Sequence, residues 1–255
     1  MNKFTILGCG SSLGSPWITN YWGNCDKKNI KNLRTRCCAH FKYKNLSILI
    51  DTSPDLKIQF KKNNLKNVDA VLYTHEHADQ TSGIFELRPF FWKNKKRIDI
   101  YGSKKTIKDL QIKYDFCFKP KSGYVPIANA HIIKNNFFLK KGNNKIKVSS
   151  FEVQHGLIKA TAYIINKIAY ISDCSYIPIV SKKILRNLDF LIIDCLRLKH
   201  HPGHLNFDAA IALAKDLKPK KTILTNLHVD LDYNKLKKKL PSNIVPAFDG
   251  LNFNF

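Results

Sequence analysis

Acidic residues are scarce in this chain. Nineteen Asp and Glu stand against 43 Lys and Arg in 255 residues, a formal net charge of +24. Such a field favours anionic substrates, and nucleic acid or another polyanion is one reading of it. The other is compositional, because Lys61-Lys62, Lys93 to Lys96 and Lys237-Lys238-Lys239 are spread along the chain and interleave with many Asn. No apolar run approaches the ~18–20 residues of a spanning helix, which excludes one. The first residues, Met1 to Gly8, read directly as a strand, with no charged segment, apolar stretch and cleavage site ahead of it. A cytoplasmic protein with no membrane partner is expected. The seven Cys are odd in number and scattered, which excludes a disulfide framework. Cys25, Cys37, Cys38 and His40 match no standard zinc-ligand spacing, so free thiols are expected. No internal repeat and no low-complexity linker divides the chain, and residues 1–255 read as a single α/β domain.

What is present is organised around Tyr73-Thr74-His75-Glu76-His77-Ala78-Asp79-Gln80-Thr81-Ser82-Gly83. It follows a buried-strand signal, Val68 to Tyr73. Two His and an Asp thus sit where a strand gives way to a loop, which is where rigid scaffolds present functional groups. Neutral imidazoles with a carboxylate are the usual donors to zinc and its neighbours.

The rest of the chain repeats the pattern. A first strand, Lys3 to Leu7, ends in the Gly- and Ser-rich turn Gly8 to Pro16. An irregular, basic stretch from Trp17 to Cys38 carries Arg34-Thr35-Arg36 and is long enough to face a substrate. Leu46 to Ile50 ends at Asp51, and Pro54 opens a helix through Lys62. Ile98 to Tyr101 is a strand, and Ser103 caps a helix from Lys104 to Tyr114. Lys145 to Val153 ends in Gln154-His155-Gly156. Ala160 to Ile165 and Ile168 to Ile171 form a hairpin about Asn166-Lys167, ending at Asp173. Leu188 to Ile193 ends at Asp194. His204 precedes a helix, Ala209 to Leu217, capped by Asn206. Lys221 to Thr225 ends at Asn226, with His228 two residues on. A short helix, Tyr233 to Leu240, and terminal strands close the chain. Strand ends that each deliver a His, Asp or Asn suggest convergence on one site.

The order Asp51, Thr74-His75-Glu76-His77-Ala78-Asp79, His155-Gly156 and Asp173 resembles the metallo-β-lactamase fold. Leu7-Gly8-Cys9-Gly10-Ser11-Ser12, Gly23-Asn24-Cys25-Asp26, Asp51-Thr52-Ser53-Pro54-Asp55-Leu56, Leu87-Arg88, Leu231-Asp232-Tyr233 and Phe248-Asp249-Gly250-Leu251 are similar to its phosphodiesterase branch. That branch is typified by 5-phosphoribosyl 1,2-cyclic phosphate phosphodiesterase and is related to the tRNA 3′-processing endonucleases. The resemblance implies a four-layer αββα sandwich and one or two divalent ions, Zn or Mn. It implies a small anionic phosphodiester as substrate, with nucleic acid as an alternative, and a homodimer. It carries over His75, His77 and His155 as first-metal ligands, Asp173 as the bridging carboxylate, Asp79 as a second-metal ligand and catalytic residue, and Asp51 near the metals. His204 falls to the substrate phosphate, where it would bind an oxygen or protonate the leaving group. Arg34 and Arg36 are candidates for binding substrate phosphate.

Two positions depart from the family pattern. Gln80 and Asn226 stand where His is expected, and both losses fall on the second metal. As amide ligands they would be weak and would favour Mn²⁺ or Mg²⁺ over Zn²⁺. His228 would share a face with Asn226 if the strand continued, and could replace the missing ligand. Three functions are then open: a metal-dependent phosphodiesterase, an RNA-processing nuclease, and a non-catalytic binding protein with a degraded second site.

Overall fold

The computed structural model describes residues 2–255. Apolar residues alternate along the strands and thereby face two different layers. In Leu46–Ile50, the residues Leu46, Ile48 and Ile50 point one way and Leu49 the other. In Ala70–Leu72, Ala70 and Leu72 share the first layer and Val71 the second. A period of two with both faces apolar requires a sheet covered on both sides.

The strands are β1 (Lys3–Gly8), β2 (Cys38–Tyr43), β3 (Leu46–Ile50), β4 (Ala70–Leu72), β5 (Ile98–Gly102), β6 (Ala128–Ile132), β7 (Asn136–Lys141), β8 (Asn144–His155), β9 (Ile158–Ile165), β10 (Ile168–Ile171), β11 (Phe190–Asp194), β12 (Lys221–Thr225), β13 (Ile244–Pro246) and β14 (Asn252–Asn254). They form two seven-stranded sheets, ordered β14-β1-β2-β3-β4-β5-β6 and β13-β12-β11-β10-β9-β8-β7. Phe4, Phe41 and Ile48 of the first meet Tyr163, Ile165 and Ile192 of the second in the central layer. Outside the first sheet, Leu56, Phe60, Ile107 and Leu110 of the helices Leu56–Lys62 and Lys104–Lys113 cover Leu49 and Val71. Outside the second, Ala210, Leu213 and Leu217 of the helix Phe207–Leu217 cover Leu191 and Ile193. The result is the four-layer αββα sandwich expected from the sequence.

Topology places the site. β3, β4, β5 and β6 run parallel, as do β10, β11, β12 and β13. β8 and β10 both pair antiparallel with β9, so they share a direction. The carboxyl ends of β3, β4, β8, β10, β11 and β12 therefore lie at one edge, where ligands bind in open α/β sheets.

Local signals held where a mechanism stood behind them. Ser103 and Asn206 accept cap hydrogen bonds from the Thr106 and Ala209 amides. Asn166 and Lys167 both take positive φ, as a two-residue hairpin turn requires. The helix begun by Leu56 stops at Lys62 as expected, and the one from Tyr233 stops two residues early, at Lys238. β2, β6, β7 and the helix Arg88–Asn94 were not anticipated. In β6 the half-buried Asn129, Ala130 and His131 precede an exposed Ile132, and in β7 Phe138 is exposed beside Asn136 and Lys140, which blurs the alternation that marks a half-buried strand. All seven Cys are buried and free. Among the described residues, no helix is long and apolar enough to cross a membrane.

Candidate metal centre

β4 delivers the first donors because the chain stays extended past its end. His77 keeps a β conformation and then caps the short helix Ala78–Thr81. Alternation sends His75 and His77 to the cleft and Glu76 to the opposite side, where it pairs with Lys105 and Thr106 of the helix behind. His155, at the end of β8, completes a cluster whose ring nitrogens lie within 4.8 Å of one another.

Hydrogen bonding fixes which nitrogen is free in two of the three rings. The Thr74 hydroxyl donates to Asp51 Oδ2 at 2.9 Å, so it accepts from His75 Nδ1–H at 3.0 Å. That leaves His75 Nε2 unprotonated, and this atom is buried with no partner. His155 Nδ1 donates to the Gly203 carbonyl at 2.6 Å, which frees its Nε2, 3.4 Å from His77 Nδ1. Such anchoring of the distal nitrogen is how ligating imidazoles are oriented. Burial, opposed by Asp173 and reinforced by His77 and His155, pushes His75 down to about 3, so the ring is neutral at neutral pH. Three converging ring nitrogens, one of them an orphaned buried donor to a cation, fit a divalent ion. Asp51 itself holds a positive φ and accepts from the Thr74 amide at 2.8 Å, so it steadies His75 through Thr74.

Asp173, at the end of β10, joins His155 and His204 in a second cluster. At Asp173 burial is outweighed by His75, His204 and His155, and its carboxyl sits below the usual range. Burial, then Asp173, pushes Asp79 up to about 6. His204 Nδ1 lies 2.7 Å from Asp194 Oδ2, which also accepts from the Cys174 amide at 2.8 Å. Burial would lower the His204 pKa, but Asp194, Asp173 and Asp79 outweigh it and push it up to about 9. The cleft these groups share holds about 370 Å³ and is also lined by Ser11, Ser12, Leu13 and Arg197.

The two amides face carboxylates. Gln80 Nε2 donates to Asp79 Oδ2 and Asp173 Oδ2, both at 3.3 Å. Asn226 Nδ2 lies 3.1 Å from His204 Nδ1 and donates to Asp173 Oδ1 at 3.4 Å and Asp194 Oδ1 at 3.3 Å. His228 lines the cleft but joins neither donor cluster. Its Nδ1 meets Asp230 Oδ2 at 3.1 Å, and its ring packs against Trp17. The expected rescue required β12 to continue. Instead β12 ends at Thr225 and Asn226 takes a φ of 61°, which removes the shared face of residues 226 and 228.

Neither arginine expected at the substrate is free to bind it. Arg34 is 2% exposed. It donates to the Leu231 carbonyl at 2.6 Å, Asn32 Oδ1 at 2.9 Å and the His228 carbonyl at 3.3 Å, pinning the loop after β12. Arg36 forks onto both oxygens of Asp55 at 2.6 and 2.8 Å. Sequence reasoning missed Thr74 and the Gly203 carbonyl as orienting groups. The hydroxyl beside the first His was the only available signal for Thr74.

Residues 47–226, more than half of the chain, match the family described as the β-lactamase superfamily domain. The chain belongs to the β-lactamase superfamily. Within it, a solved diphosphatase from the PhnP family is 30% identical and superposes with a TM-score of 0.89, over 100% of this chain and 97% of that one. This agrees with the phosphodiesterase branch that the sequence resembles. The short form of human tRNase Z superposes with a TM-score of 0.70 at 17% identity, over 99% of this chain and 98% of that one, a likeness of fold alone. An octanoyltransferase from Porphyromonas gingivalis is 27% identical over 252 residues, which are 96% of this chain and 50% of that protein. The chain spans about half the length of that curated relative, whose name describes the longer protein. The family fold is that of a metallo-hydrolase.

Proposed function

We propose that this chain is a metal-dependent phosphodiesterase acting on a small cyclic or nucleotide-like phosphodiester. The observation that carries this reading is the pairing, in one cleft, of the three-His cluster with a His204 imidazole backed by Asp194. His75, His77 and His155 would hold Zn²⁺ or Mn²⁺, with Asp173 beside them. A divalent ion there would polarise a phosphoryl oxygen and make water acidic enough to attack at neutral pH. His204, held protonated by Asp194, is the group suited to bind a phosphoryl oxygen or give its proton to the departing alkoxide. Asp79 is a carboxylate able to orient the attacking water. At about 370 Å³ the cleft suits a small molecule. Likeness to the PhnP-family diphosphatase supports a phosphate substrate.

The test is turnover of bis(p-nitrophenyl) phosphate and of a cyclic ribose phosphodiester with Zn²⁺, Mn²⁺ and Mg²⁺. Hydrolysis that disappears in His75→Ala is expected. Folded protein inactive with every ion would end the proposal. The net charge of +24 favours a nucleic-acid substrate as the second reading. RNA binding that weakens steeply with salt would support it.

A further inference from the structure

We infer that the side-chain amides of Gln80 and Asn226 occupy the role of a second cation, so that this chain holds one metal ion where its cleft otherwise offers carboxylates for two. The inference rests on the phosphodiesterase reading only for its functional meaning, since metal number is measured independently.

Two carboxylates aimed at a common space repel unless a cation or N–H donors stand between them. Here N–H donors stand between them. Gln80 reaches Asp79 and Asp173 from one side, and Asn226 reaches Asp173 and Asp194 from the other. Both oxygens of Asp173 are thereby engaged by amide hydrogens. All three partners, Asp173, Gln80 and Asn226, are at most 4% exposed, so water does not substitute for these bonds.

The amide orientation is dictated by its surroundings. Turned over, Gln80 would set Oε1 against two carboxylate oxygens. To admit a second ion the cleft must break these bonds, bring the amide oxygens forward and leave buried donors unpaired, away from water that could satisfy them. His228 offers no relief, being turned to Asp230 and Trp17. The three-His cluster needs no such rearrangement, because His75 Nε2 already stands unpartnered. Gln80 and Asn226 are thus positioning residues, holding Asp79, Asp173 and Asp194 in place by hydrogen bonds.

The experiment is calorimetric titration of metal-depleted full chain with Zn²⁺, and separately Mn²⁺, with elemental analysis after desalting. One ion per chain is expected, lost in His75→Ala. The double variant Gln80→His with Asn226→His is expected to take two. His is tolerated at the left-handed backbone of position 226. Should the double variant misfold, the wild-type stoichiometry still decides. Two ions per wild-type chain, or a single ion that survives His75→Ala, would overturn the inference. Two ions with phosphodiester turnover would sink it and spare the functional reading. One ion with no turnover would do the reverse, and no ion in either protein would sink both.

Discussion

His204 Nδ1 and Asp194 Oδ2 lie 2.7 Å apart, joining the turn before one helix to the carboxyl end of β11. If His204 protonates the leaving group, its removal should matter in proportion to the basicity of that group. His204→Gln is expected to lower kcat for an alkyl phosphodiester by about 10²–10⁴-fold, and far less for a p-nitrophenyl ester. Equal losses on both substrates would assign His204 to binding instead. Asp194→Asn should give the same leaving-group dependence at smaller amplitude.

Metal should stabilise the fold through the three-His cluster. At free metal a thousandfold above Kd, mass action contributes about 4 kcal/mol. Chelator should lower the melting temperature of the wild type and leave that of His75→Ala unchanged, as read by thermal denaturation.

Arg34 is a structural cation. Arg34→Ala would remove the short guanidinium bond to the buried Leu231 carbonyl and one of two donors to each of the His228 carbonyl and Asn32 Oδ1, which keep the Leu231 and Tyr233 amides. A loss of roughly 3 kcal/mol or more is expected in urea denaturation. Arg36→Ala, at a partly buried bidentate ion pair, should cost less, roughly 1–2 kcal/mol.

His40 predicts a pH dependence. Burial, reinforced by Lys42 and Lys3, pushes its pKa down from 6.5 to about 4. The unfolded chain therefore binds more protons between those values, and stability is lost as pH falls from 6.5 through 4. Near pH 4 the loss reaches about 3 kcal/mol. His40→Asn should flatten this part of the stability profile. An unchanged slope would show that His40 titrates normally.

Gly83 is packed against the Asp51–Ser53 loop so closely that an added Cβ would stand 2.1 Å from the Ser53 carbonyl oxygen. Backbone cannot yield there without separating Asp51 from the segment that carries Asp79. Gly83→Ala should lower both the melting temperature and metal content; normal values for both would refute this.

Much of the fold was legible because local chemistry and long-range packing agreed. β3, β4 and β10 to β12 are short apolar runs ending in polar residues, and Ser103 and Asn206 announce their helices. The strands β6 and β7 escaped because their polar residues are paid for by pairing within the sheet, which no local pattern records. The cleft residues His75, His77, Asp79, His155, Asp173 and His204 were legible because each stands at a strand end or beside a helix start.

The order of donors along the chain determined that several imidazoles and carboxylates would be available at strand ends, since alternation and turn chemistry are local. Orientation was decided only in three dimensions. Thr74 and Gly203 select the free nitrogen of two rings, and Arg34 is consumed by carbonyls nearly 200 residues away. The turn at Asn226 sends His228 aside, while Gln80 and Asn226 meet carboxylates brought from other strands. Hydrogen bonds and burial are set by what the fold brings within 3–4 Å, and sequence separation carries no record of that distance.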